Sequence, residues 1–337
     1  MRALVITLAL VCGSSAWAET VSVPARASPV ILVPGFMGWR DLDILGSYFI
    51  GLEDALEAAG ADVYRLSPPP IADSTVRAEY LVRAIEAVRV RAKSDKVAII
   101  AHSQGGIDTR VAMADPEVAK KIAVVVTLSS PHEGTEIADA ALKLPAPLVD
   151  AALAWVNVVW QSGQHIKRTD AGARAVLANL SRAGMKEMNA RLPKAYDVPF
   201  FSLAALSDDD IDGSCAGGRW GAPAKKDALH SFFIPGRLMI RSVAGDVSDD
   251  GVVPTSSMKF GTFLGCVPGD HVDWMGWSSD RKDDGWTELD ERAFLVELWR
   301  GMRDVEATGD ATAMDWHTGN LARIASARLN DVVAVAP

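Results

Sequence analysis

An α/β architecture, with a mostly parallel central sheet flanked by helices, follows from three features of the 337-residue sequence. Continuous apolar runs, Val30–Val33, Val97–Ala101 and Ile122–Leu128, suit strands buried on both faces. Stretches of helical period lie between them; in Ser74–Lys93 the residues Val76, Tyr80, Leu81, Ile85 and Val88 fall on one face. This alternation calls for right-handed crossovers within one parallel sheet. The third feature is Ala101-His102-Ser103-Gln104-Gly105-Gly106, where an apolar run meets a helix-compatible stretch through a polar residue flanked by small ones. A sharp turn there would force Ser103 into a strained conformation and project it from the top of the sheet.

The elements follow in chain order. Met1 to Ala18 reads as a secretory signal: Arg2, the apolar run Ala3 to Val11, then Ala16-Trp17-Ala18 before Glu19. The apolar run is too short to span a bilayer. Signal removal takes Cys12, leaving Cys215 and Cys266 as a pair in an oxidising compartment, where a disulfide is expected. Strand Val30–Val33 is broken by Pro34-Gly35-Phe36-Met37-Gly38. The segment from Gly46 to Ala59 is helical and closed by Gly60, and Ala61 to Leu66 is a strand ending before Pro68-Pro69-Pro70. After the helix Ser74–Lys93 come strand Val97–Ala101, helix Gln104 to Ala114 and strand Ile122–Leu128. That strand delivers Ser129 to Thr135 to the sheet edge where Ser103 emerges, and His132 in it reads as a residue shaping the turn after Pro131.

Residues 137–195 are the least sheet-like part. Leu148 to Trp160 is apolar around most of its circumference, with Trp155 and Trp160 among its large side chains, and reads as a buried helix or a lid. Leu177 to Leu192 returns to helical spacing and Phe200 to Leu206 is a strand. Segment 207–236, with Asp208-Asp209-Asp210, Cys215, Lys225-Lys226 and the loop histidine His230, has the texture of a surface insertion. Three adjacent carboxylates suit a solvated turn better than a metal loop, whose ligands alternate. Leu238 to Ala244 reads as another strand, Glu288 to Arg303 as the closing helix, and 304–337 as a C-terminal extension with one amphipathic helix through Leu321, Ile324 and Leu329.

Composition narrows the partners. A formal charge of −9 disfavours nucleic acid, and 49% hydrophobic residues with 10 Trp support one large domain with an amphipathic contact surface. The chemistry centres on Ser103, which needs a general base and a carboxylate to orient that base. Asp246, Asp249 and Asp250 lie together on the loop Gly245–Pro254, and His271 and His317 are the histidines after it.

Taken in order, Val30 to Gly38, Tyr48-Phe49-Ile50-Gly51, Gly60 to Tyr64, Ala101 to Gly106 and Ser130-Pro131-His132-Glu133-Gly134-Thr135 resemble the secreted bacterial true lipases. These are triacylglycerol lipases of the α/β-hydrolase fold with a helical lid or cap insertion. The likeness covers about residues 30–140, then thins. Ala101 stands where the elbow pattern usually has Gly, and Pro34-Gly35 where the family carries His-Gly. The resemblance implies a triad of Ser103, Asp250 and His271, with Asp250 in its Asp-Gly-Val-Val-Pro setting and Asp249 and Asp246 as fallbacks. It implies an oxyanion hole from the amides of Phe36 and Gln104, and a lid at Leu148–Trp160 whose Trp155 and Trp160 meet acyl chains.

The family's structural calcium would use the position of Asp273. Trp277 stands at the later ligand position, however, and no matching Asp precedes the strand expected at Leu238, so no cofactor is required by this reading. The expected organisation is a signal peptide 1–18, a catalytic domain 19–303 and the extension 304–337. The function implied is a secreted or periplasmic serine ester hydrolase acting on acylglycerols or similar hydrophobic esters, with a hydrophobic ester or lipid interface as partner and any folding helper unreadable. A short-chain esterase, polyester hydrolase, phospholipase or acyltransferase would use the same residues, and a binding module would lack a working triad.

Overall fold

A computed structural model describes residues 27–38, 41–42, 46–145, 173–207, 209–223, 227–276 and 289–326. The expected signal peptide, the lid helix Leu148–Trp160 with Trp155 and Trp160, and Trp277, Lys225, Lys226 and Leu329 lie outside these residues. Among the described residues no helix is long and apolar enough to cross a membrane.

Six strands form one sheet in the order β4-β1-β5-β6-β7-β8: β1 Val30–Val33, β4 Val63–Arg65, β5 Val97–His102, β6 Ile122–Leu128, β7 Phe200–Leu206 and β8 Thr262–Pro268. Every pair is parallel. The two-residue strands β2 Asp41–Leu42 and β3 Gly46–Ser47 pair separately. Period-two alternation divides the core. Val30, Leu32, Ala98 and Ile100 face a layer built with α1 Leu52–Ala58, a late helix Glu291–Thr308 and the final helix Asp315–Ser326. Ile31, Val33, Ile99 and Ala101 face the opposite layer with α2 Ser74–Ala92 and α3 Gln104–Ala112.

Chain order places the site. From β1 the chain passes to β4 on one side and then to β5 on the other, so the loops leaving β1 and β5 flank the point where strand order reverses. Crevices for ligands open at such points, beyond the carboxyl ends of the strands.

Three expectations are corrected. Leu238 to Ala244 is not a strand but part of α8, Ile234–Ala244, begun by Pro235 and closed at Gly245 with φ 81°. Its apolar run has helical spacing once Arg237 and Ile240 are seen to share the buried side. The last strand of the sheet is instead β8. Leu177 to Leu192 is two helices, α6 Ala173–Leu180 and α7 Arg182–Arg191, because Ser181 caps the second by accepting the Gly184 N–H. The helix expected from Gly46 begins only at Leu52, after Gly51 at φ 69°.

The insertion 207–236 lies partly along β8. Arg219 N–H donates to Leu264 O, Cys266 N–H to Gly221 O, and Trp220 Nε1 to Cys266 O, which covers an edge that would otherwise be open. Cys215 and Cys266 are joined in the expected disulfide, with Cα atoms 5.7 Å apart.

Candidate active site

Ser103 sits between β5 and α3 with φ 54° and ψ −128°, a conformation most residues avoid. The turn is tight enough that a Cβ on Gly105 would come within 2.6 Å of Val33 O, and one on Gly35 within 2.6 Å of Ser103 Cβ. The loop after β1 therefore touches the serine.

Two further loops reach the same point. The Ser103 hydroxyl lies 2.9 Å from His271 Nε2, and His271 Nδ1 lies 2.7 Å from Asp250 Oδ2. His271 follows β8, and its N–H donates to Asp250 O. The other Asp250 oxygen accepts the N–H groups of Val252 and Val253, so the carboxylate is held in one orientation. The acid loop returns to the end of β7 through Ser207 N–H to Asp249 O.

The fallback acids have other partners. Asp249 turns away from the imidazole and accepts from Arg237 Nε at 3.0 Å and Gly251 N–H at 2.7 Å. Burial pushes its pKa up against the pull of Arg237. Asp246 is exposed. His317 lies in the C-terminal layer, between Glu297 and Asp304, each at 2.8 Å. His132 is buried with Nε2 3.1 Å from Thr127 Oγ1, and burial followed by the charge of Arg110 keeps it well below the usual histidine range.

The loop after β1 is clamped by a residue the sequence pattern hid. Arg77 of α2, completely buried, donates to Pro34 O at 2.6 Å, Gly35 O at 3.0 Å and Pro69 O at 3.1 Å, and pairs with Asp108 at 2.7 Å. A trans peptide points its N–H opposite its C=O. Holding the Gly35 carbonyl on Arg77 therefore turns the Phe36 N–H the other way. Burial raises Asp108 to about 6, against the guanidinium beside it. The Gln104 amide is the first N–H of α3, where no intrahelical acceptor exists. Its side chain is occupied with Ala72 O at 2.9 Å.

Asp273, at the position the family's calcium would use, accepts the Asp270 N–H at 2.6 Å within the His271 loop. Burial first, then Asp270, Asp227 and Glu291, hold its carboxyl well above the usual range. Asp227 is an acid earlier in the chain within electrostatic reach of it. Among the described residues no group of three or more His, Cys, Asp or Glu side chains is arranged to hold a metal ion.

A family profile described as alpha/beta hydrolase fold matches residues 28–203. A triacylglycerol lipase of Pseudarthrobacter phenanthrenivorans is 33% identical over 200 residues, 56% of this chain and 62% of that protein. One of Burkholderia plantarii is 33% identical over the same length, 56% of this chain and 55% of its own. The chain thus spans about three-fifths of the length of these relatives or less. Among solved structures, EstA from Clostridium botulinum superposes with a TM-score of 0.54 at 20% identity, covering 77% of this chain and 85% of that one. The mature lipase BlEst2 of Bacillus licheniformis gives 0.52 at 16%, covering 74% and 86%, a likeness of fold.

Proposed function

The chain belongs to the alpha/beta hydrolase fold family, and from that premise we propose that it is a serine hydrolase of hydrophobic carboxylic esters. The observation that carries this reading is the continuous line from Ser103 Oγ through His271 to Asp250, at 2.9 and 2.7 Å. Ser103 attacks the ester carbonyl as His271 Nε2 takes its proton. Asp250 fixes the tautomer with the other proton on Nδ1 and stabilises the imidazolium. The amides of Phe36 and Gln104 receive the oxyanion, each worth roughly 3–4 kcal/mol in the transition state. His271 returns the proton to the leaving alkoxide, and water releases the acyl group from Ser103 by the same steps in reverse. The chemistry requires no cofactor.

The surface beside the site favours esters that form a separate phase. Helix α8 is inside out: Arg237 and Arg241 turn inward to Asp249, while Phe232, Ile234 and Leu238, at 75, 48 and 64% exposure, face solvent. The stretch 229–245 contains no acidic residue, although the whole chain carries −9. The helix abuts the acid loop, since a Cβ on Gly236 would lie 2.4 Å from Gly251 O. An apolar patch at the rim of a site suits a lipid or other water-insoluble ester surface. We also read the chain as secreted or periplasmic, which the Cys215–Cys266 disulfide supports.

Hydrolysis of p-nitrophenyl esters from acetate to palmitate, compared between the wild type and Ser103→Ala, tests the reading. Turnover lost in the variant supports it, and equal rates in both refute it.

A further inference from the structure

Tyr48 and His102 take no part in the ester chemistry described above, yet both are buried at its centre. The Tyr48 hydroxyl accepts the Gly35 N–H at 3.0 Å and lies 2.7 Å from His102 Nδ1. The same peptide unit has its other pole, Pro34 O, on Arg77 at 2.6 Å. A cation at the oxygen and a phenol at the nitrogen thus fix the plane of the peptide immediately before the Gly35–Phe36 unit. His102 directly precedes Ser103, and its ring centroid is 4.7 Å from that of His271.

We propose that Tyr48 and His102 form a positioning relay, running from Gly35 N–H through the Tyr48 hydroxyl to the His102 imidazole, that ties the oxyanion loop to the nucleophile strand and to the face of the base. This rests on the ester-hydrolase reading, because its effect is felt in acyl transfer. In this relay the hydroxyl accepts from Gly35 and gives its own proton to His102 Nδ1. A neutral imidazole accepting at Nδ1 carries its proton on Nε2. Burial, followed by the neighbouring His271, keeps His102 well below the usual histidine range, and burial keeps the Tyr48 phenol protonated. His102 Nε2 is sealed from solvent, and a backbone hydrogen bond at His271 acts against the downward shift without reversing it. A ring held neutral there does not oppose the imidazolium that His271 becomes during turnover. The relay acts through Phe36 and His271 without touching the substrate.

The test uses the full chain and a soluble p-nitrophenyl ester, with sites counted by titration against a phosphonate. Loss of turnover in Ser103→Ala settles the underlying reading separately. Tyr48→Phe and His102→Leu are each expected to lower kcat per titrated site about tenfold, with KM within about twofold. Binding of a reversible boronic-acid mimic of the tetrahedral state should weaken by the same factor. His102→Asn, which can place an acceptor near the Nδ1 position, should keep most of kcat. The double variant should be no slower than the slower single one, because both substitutions break one chain. A kcat per site unchanged in Tyr48→Phe, or losses that multiply in the double variant, overturns the proposal. Independently of turnover, ¹⁵N shifts at neutral pH should report His102 as the Nε2–H tautomer in the wild type, and an Nδ1–H tautomer overturns it.

Discussion

Replacing Arg77 should separate stability from catalysis, because one side chain serves both. In Arg77→Met the Asp108 carboxylate, wholly buried, loses its counter-charge, and the carbonyls of Pro34, Gly35 and Pro69 lose a donor. Breaking a buried ion pair costs roughly 3–5 kcal/mol, and in a chain of this length Tm should fall by about 4–7 °C. The stranded Asp108 limits that cost by taking up a proton, since burial already raises its pKa to about 6 with Arg77 present. A raised carboxyl pKa makes the contribution present at low pH and lost as pH rises through the folded-state value. Arg77→Met should therefore lose more stability at pH 8 than at pH 5. Arg77→Met with Asp108→Leu removes the stranded charge, so most of the stability should return. The carbonyl clamp does not return, and kcat on a soluble ester should stay about 10–100-fold down, below the loss of a whole oxyanion donor. Calorimetry and initial rates on the wild type, the single and the double variant read both quantities. A double variant that recovers kcat together with Tm would refute the clamp and leave Arg77 a packing residue.

The remaining expectations concern other parts of the chain. Asp250→Asn should lower kcat by about 10⁴ by favouring the wrong imidazole tautomer, whereas Asp249→Asn should mainly lower Tm through Arg237; a reversal of the two would reassign the acid. Reducing Cys215–Cys266, which closes a 51-residue separation, should cost about 4 kcal/mol in urea unfolding; an unchanged midpoint would show a reduced chain already compact there. For His317 burial lowers the pKa, but the hydrogen bonds to Asp304 and Glu297 outweigh it and raise the value. Its contribution is thus full below about 6.5 and fades as pH rises through the folded-state pKa, so His317→Ala should flatten the stability–pH curve above neutrality and leave kcat unchanged. Leu238→Glu with Phe232→Ser should reduce activity on emulsified ester more than on dissolved ester; equal losses would remove the surface reading of α8.

Strands buried on both faces write themselves as unbroken apolar runs, which is why β1, β5 and β6 were legible from the sequence alone. The same reasoning misplaced α8, because a helix with its arginines inward and its aliphatics outward also contains an apolar run. The i,i+4 pair Arg237 and Arg241 between Pro235 and Gly245 was the helical signal available. Strand β8 was missed for the opposite reason: Gly265 interrupts its apolar run, and Thr262 and Pro268 bound it with residues that do not read as strand ends. The motif residues Ser103, Asp250 and His271 were legible because their neighbours constrain backbone geometry locally. Arg77 was not, although the buried positions of α2, Ser74, Arg77, Ala78, Leu81, Ile85 and Val88, include an arginine in an otherwise apolar stripe. Apart from Pro69 O, its partners lie 31 to 43 residues away, beyond any local pattern.

The strained Ser103 turn explains why such partners are needed. A residue held at φ 54° and ψ −128° costs about 1–3 kcal/mol and persists only where its surroundings over-determine it. Here the constraints come from three directions: the Gly105 approach to Val33 O from below, the Gly35 loop from the side, and His271 from above. The Gly35 loop cannot rest on sheet pairing, since β1 ends at Val33. Backbone bonds from Met37 N–H to Pro70 O and Gly38 N–H to Gly35 O hold its far side, and side chains hold the rest, Arg77 on the Pro34 and Gly35 carbonyls and Tyr48 on the Gly35 amide. Both are buried, so their bonds are not exchanged with water and their geometry is fixed before substrate arrives. That pre-set geometry is what the proposed oxyanion role of the Phe36 amide requires, since a donor fixed in advance need not reorganise when charge appears.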